Sequence, residues 1–131
     1  MAEQSREVSF FIKLKQVLSA SYKGNKMTTY HTFFADLAKA IETIPVESIV
    51  SRTIYKDDHL KAIIFAFAPG QELSQHTASV QAMIQILEGE CDLTVGATSY
   101  QGKPGTWVHM EANLPHSLLA ITAVKMLLIM L

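Results

Sequence analysis

From residue 46 to the end of the chain, apolar and polar residues alternate with a period of two, and turn signals recur at short intervals. Nine segments read as strands: 48–55, 60–68, 73–78, 81–87, 91–95, 99–101, 106–110, 116–120 and 123–131. Between them lie Lys56-Asp57-Asp58, Pro69-Gly70, Glu88-Gly89-Glu90, Gly96 and Gly102-Lys103-Pro104-Gly105. No helical period interrupts this series. Many short strands without intervening helices predict an all-β sandwich or jelly-roll barrel.

Upstream the period changes. Phe33, Phe34, Leu37, Ile41 and Ile44 recur at three- and four-residue spacing and predict a helix. Thr32 is its expected N-cap, Asp36 falls in an early turn, and Pro45 stops it. Its apolar stripe is expected to lie across the outside of a sheet. Residues 1–26 carry Arg6, Lys13, Lys15, Lys23 and Lys26 against Glu3 and Glu7. The apolar run 8–18 is broken by Lys13 and Lys15, unlike a secretory core, and no run has the length of a membrane span. Met27 would serve as a start of its own, so the residues before it are expected to be a poorly specified extension. This divides the chain into an N-terminal extension and helix, 1–45, and a β-barrel domain, 46–131.

The last strand is apolar on both faces. Val124, Met126, Leu128 and Met130 share one, and Leu127, Ile129 and Leu131 share the other beyond Lys125. One face can be core. The other needs the helix or a second subunit, which predicts a homodimer.

Composition narrows the function classes. At 131 residues the chain is one domain with a single core. Eleven basic and 12 acidic residues give a net charge of -1, no electrostatic basis for binding nucleic acid or an anionic membrane. The hydrophobic fraction of 49% against 18% charged also favours surface hidden in an oligomer. The single cysteine, Cys91, excludes an internal disulfide and fits a reducing, cytoplasmic compartment; a buried inert thiol is expected.

The chemistry concentrates in two stretches, 70–89 and 105–116. The first contains Gly70, His76 and Gly89; the second contains Gly105 and His116. Together they resemble the two motifs of the cupin superfamily. In the first motif a glycine is followed by His-x-His, a glutamate and a second glycine. Gly70, His76 and Gly89 fall on their slots, while Ala78 replaces the second histidine and Ala82 the glutamate. In the second motif Gly105 and His116 match, with Glu111, Asn113 and Ala120 in the proline, glycine and asparagine slots. The resemblance covers about half the chain. It implies a cupin-type double-stranded β-helix, the jelly-roll barrel, preceded here by the predicted helix.

The resemblance also implies a metal site at the barrel mouth, with His76 and His116 as ligands to one divalent transition metal, Fe, Mn, Ni, Cu or Zn. Two ligands are fewer than a catalytic zinc or iron site uses, so Gln81, Glu111 or water are the candidates to complete the set. By strand alternation Ser74 and Ala78 should share the inward face with His76, and Ala82, Ile84 and Ile86 should line it from the next strand. Trp107 or Met110 should join them, depending on register. Gln81 falls on the other face unless a bulge re-aims it. The alternative is that His76 and His116 hydrogen-bond inside an apolar barrel and hold no metal.

Other histidines fit quieter roles. His109 shares a face with Trp107 and suits packing or a dimer contact; His31 and His59 are expected in solvent. There is no Gly-x-Ser-x-Gly, phosphate-binding glycine loop or paired metal cysteines. Two functions stay open. One is a metal-dependent enzyme, dioxygenase- or isomerase-like, acting on a small organic molecule. The other is a non-catalytic small-molecule binding or sensing protein without metal.

Overall fold

A computed structural model describes residues 30–131, so the expected extension over residues 1–26 lies outside the described residues. The nine expected strands are present: β1 (Ile49–Lys56), β2 (Lys61–Phe67), β3 (Glu72–His76), β4 (Ala82–Glu88), β5 (Cys91–Val95), β6 (Thr98–Gly102), β7 (Trp107–Met110), β8 (His116–Ala120) and β9 (Val124–Met130). They form two sheets, one in the order β1-β2-β9-β4-β7 and one in the order β3-β8-β5-β6. Every pairing is antiparallel.

The core lies between the sheets and is built from one parity of each strand. Ile63, Phe65 and Phe67 of β2, Ala82, Ile84 and Ile86 of β4, and Val124, Met126, Leu128 and Met130 of β9 meet Leu73, Cys91, Leu93, Leu118 and Ala120 of the second sheet. This is period-two patterning made physical: each of these side chains leaves water on the same face. Cys91 is fully buried, and desolvation, with Asp92 nearby, raises its thiol pKa, so it is the inert thiol expected.

The floor of the barrel depends on Gly89. Its φ is +88°, and a Cβ there would stand 1.9 Å from the carbonyl oxygen of Ala123 in the β8–β9 turn. Two turns thus cross in van der Waals contact, and only a residue without a side chain allows it.

The predicted helix over residues 33–44 does not form. The chain makes a single 3-10 turn, Leu37–Ala40, with Asp36 and Ile41 extended on either side. Its carbonyls are taken by the sheet beneath: Lys125 Nζ donates to Ala38 O at 2.9 Å and an Arg52 guanidinium nitrogen donates to Ala40 O at 3.0 Å. The Arg52 guanidinium also lies 5.7 Å from the centre of the Phe34 ring. Ile41 is buried with Val50, Ile54, Ala62, Ile64 and Ala66, and Phe34, Leu37 and Ile44 pack on that cluster, whereas Phe33 faces solvent. Tertiary burial on the flat outer sheet outweighs local helical period. The expected position, across the outside of a sheet, is correct although the element is not. Leu127 and Ile129 of β9 pack against the same cluster, which covers part of the strand's second face.

Candidate functional site

The site is set by an irregularity in β3. Leu73 pairs with Leu118, and His76 pairs with His116. That is three steps along β3 against two along β8, so β3 carries a bulge. Simple alternation from Leu73 would turn His76 outward. The extra residue restores it to the face of Leu73, opposite His116, which shares the inward face with Leu118. The two imidazole centres are 4.3 Å apart, with ring planes at 60°. His116 is buried and His76 is half-buried.

Both rings are held in the same way. His76 Nδ1 is 2.8 Å from the carbonyl oxygen of Ser74, and His116 Nδ1 is 2.8 Å from that of Leu114. A carbonyl only accepts, so each Nδ1 is the donor and each neutral ring keeps its Nε2 lone pair. Burial is the largest influence on His116 and lowers its pKa below the usual value of 6.5; the Leu114 carbonyl opposes this, and the neighbouring His76 adds to it. His116 is therefore an unprotonated donor at neutral pH.

These features fit a shared ion in their donor chemistry. Carbonyl-anchored Nδ1 and free Nε2 are what metal-binding histidines present. Two imidazoles bound at about 2.1 Å and at right angles to each other place their ring centres about 4.5 Å apart. The observed 4.3 Å is close to that. No group of three or more His, Cys, Asp or Glu residues able to hold a metal occurs among the described residues.

The other expected site residues divide. Ala82, Ile84 and Met110 are buried on the core side, and Ile86 lies deeper towards the floor. Ala78 is buried, and its carbonyl accepts the Asn113 N–H at 2.5 Å. Asn113 itself has a φ of +70°, which asparagine tolerates. Ser74 is exposed, not pocket-lining, because the bulge breaks the alternation that had placed it beside His76. Trp107 is 57% exposed: Met110 takes the inward parity of β7, which sends Trp107 and His109 outward. Gln81 is exposed and bonds His109 Nε2 through Oε1 at 2.9 Å, on the outer face of β4 and β7. Glu111 is exposed and belongs to no metal-capable group of three. The carbonyls of Ser74 and Leu114, which hold the two imidazoles, are the groups of the candidate site that the sequence reading missed. The signal was their common position two residues before each histidine.

A concavity of about 440 Å³ lies outside the barrel, between Tyr30, Phe34, Ile54, Tyr55 and Leu60. Its carboxylate, Asp57, already accepts from the Tyr55 hydroxyl and from the His59 and Leu60 amides, which lower its pKa. That is turn chemistry. The pair at the mouth of the barrel is the stronger candidate.

The comparisons agree with this architecture. A search of curated proteins returned no significant match. A conserved protein of unknown function from Streptococcus pyogenes is 30% identical, with a TM-score of 0.70 over 82% of this chain and 96% of its own. A cupin superfamily protein from Desulfitobacterium hafniense is 22% identical, also with a TM-score of 0.70, over 82% of this chain and 95% of its own. A cupin 2 conserved barrel domain protein from Leptotrichia buccalis is 29% identical over 72% of this chain and 45% of its own, with a TM-score of 0.66. The Cupin domain profile matches residues 63–130, from the centre of β2 through β9 and across both histidines. The chain belongs to the cupin family.

Proposed function

We propose that this is a small cupin domain in which His76 and His116 hold one divalent transition-metal ion, Fe, Mn, Ni, Cu or Zn, and a small organic molecule meets it at the barrel mouth. The observation that carries this reading is the opposed pair of carbonyl-anchored imidazoles with rings 4.3 Å apart. Such an ion would act as a Lewis acid with open positions for substrate or oxygen, which suits dioxygenase- or isomerase-type chemistry. The chain's own contribution is to keep His116 neutral by burial, orient both imidazoles through the carbonyls of Ser74 and Leu114, and exclude water on the core side with Met110 and Leu118.

The test is metal analysis of full-length protein purified without a histidine tag. About one transition-metal ion per chain supports the enzyme class. A second reading, a non-catalytic binding or sensing cupin, is favoured by the absence of a third donor among the described residues. Metal-free protein that refuses added Fe, Mn, Ni, Cu and Zn, yet binds a small molecule, would establish it.

The reading includes a cytoplasmic homodimer. Trp107 and Leu131 are exposed, and Met83 and Gln85 pair with His109 and Trp107 on the outer face of β4 and β7. Pairing of two such faces would bury the apolar surface that residues 30–45 leave open. Light scattering at micromolar concentration should give twice the chain mass, and Ile129→Glu should impair assembly or folding. A stable monomer would remove the dimer from the proposal.

A further inference from the structure

Two lysines face each other at the open end of the barrel with no acid between them. Lys61, the first residue of β2, is directly opposite Lys56, the last of β1, and on its other side it pairs with Met130. Parity sets its face. Ile63, Phe65 and Phe67 point into the inter-sheet core, while Ala62, Ile64 and Ala66 belong to the outer cluster. Lys61 therefore starts on the core side.

Topology sets its end of the barrel. The β2–β3 connection lies at the floor, where Gly70 N donates to Ala120 O. The opposite ends of these consecutive strands, Lys61 and His76, then both lie at the mouth. Met130, the partner of Lys61, ends the strand that leaves the floor at Val124. The sheets are about 10 Å apart, so a small molecule at the histidine pair comes within reach of a lysine side chain on the facing sheet.

Like charges directly opposite on a ladder destabilise each other. Here one of the two is also half-buried. Burial and then Lys56 lower the pKa of Lys61, and no carboxylate offsets them. Neither lysine has an ion pair with an acid among the described residues. In the turn that joins them, the Asp57 carboxylate is committed to Tyr55, His59 and Leu60. An uncompensated cationic pair on the rim of an apolar barrel is suited to an anion.

We infer that Lys61, supported by Lys56, is the anion-recognising residue of the mouth, and that the small molecule held at His76 and His116 carries a carboxylate or phosphate group. This rests on the reading of the histidine pair as the binding centre. The ammonium is a compact point charge with three donors, so it accommodates either anion.

The probes are acetate, oxalate and inorganic phosphate, with acetamide as the neutral counterpart. They are titrated into metal-free full-length protein and followed through the histidine ring signals and the ε-methylene of Lys61. Anions should move both sets of signals together, and acetamide should move neither; oxalate against phosphate tells which anion the mouth takes. Lys61→Met should weaken anion binding by about tenfold or more, Lys61→Arg should restore most of it, and the thermal midpoint of Lys61→Met should not fall, because a repulsion is removed. Equal anion affinity in Lys61→Met, or acetamide binding as well as acetate, overturns the inference. So does anion binding that leaves the histidine signals unmoved, because the anion would then lie elsewhere. The reading of the pair is judged separately, by whether metal binds wild type and is lost from the histidine variants. Lys61 can fail while that reading stands.

Discussion

Gly89→Ala is expected to destabilise the fold by about 3–5 kcal/mol, among the largest losses available to a single methyl group. Two costs add. The residue must keep a φ of +88°, a left-handed conformation that costs an L side chain about 1–2 kcal/mol. Its Cβ would also stand 1.9 Å from the Ala123 carbonyl oxygen and 2.8 Å from that carbonyl's carbon. Backbone cannot rotate aside as a side-chain tip can, so the two floor turns must part, and β4, β5, β8 and β9 all end there. Gly70→Ala separates the two costs: its φ is +83°, with nothing within 4 Å of the added Cβ, so it should lose only the conformational part. Urea unfolding of the two variants beside wild type is the measurement. Equal losses at the two glycines would show that the crossing of the turns is not tight.

Replacing both histidines, as His76→Ala with His116→Ala, is expected to abolish transition-metal binding, and either single change should weaken it by more than about a hundredfold. Losing an outer hydrogen-bond partner of a metal ligand already costs roughly 10–100-fold. Losing a ligand from a set of two costs more, since no other side chain among the described residues completes a group of three. The variants carry a second readout that needs no metal. Burial holds the pKa of His116 below 6.5, so the unfolded chain takes up its proton first as the pH falls. The stability contributed by neutral His116 is therefore complete above about pH 6.5 and is lost as the pH drops through the lower, folded value. In chelator-treated protein the thermal midpoint of wild type should fall more steeply from pH 7 to pH 5 than that of His116→Ala. Parallel slopes would mean that folding does not lower the pKa of His116, and would remove burial as the cause of its neutral state.

The strands were legible because a two-layer β fold writes its core in alternate residues. From Lys61 to Phe67 and from Val124 to Met130, parity alone separates inter-sheet core from outer face. The turns were legible because Gly89 and Asn113 mark positive φ. The helix was misread for a physical reason. Phe34, Leu37, Ile41 and Ile44 do share a face, but an extended chain with one 3-10 turn presents it to a flat sheet while Lys125 and Arg52 cap the carbonyls. Those partners are 87 and 12 residues away from the carbonyls they bond, beyond any local pattern. His76 and His116 were found through motif slots, yet Ser74 was assigned wrongly and Trp107 stayed open. A bulge and a register are properties of a strand pair, and one strand's sequence does not display them.

The bulge in β3 frees the histidine pair from one exact chain length. Leu73 and everything before it are fixed by the core, and the residues after His76 are tied by the Ala78 carbonyl to Asn113. Between those anchors Ser74 and Gln75 are both exposed and bury nothing. A one-codon deletion there would remove the bulge and leave two steps along β3 against two along β8, a regular ladder that still sets the imidazole on the face of Leu73, opposite His116. Among relatives of this fold, the site can thus survive a one-residue difference in length at this point of the strand. A gap of one residue before the first histidine is therefore no sign, by itself, that the chemistry has been lost.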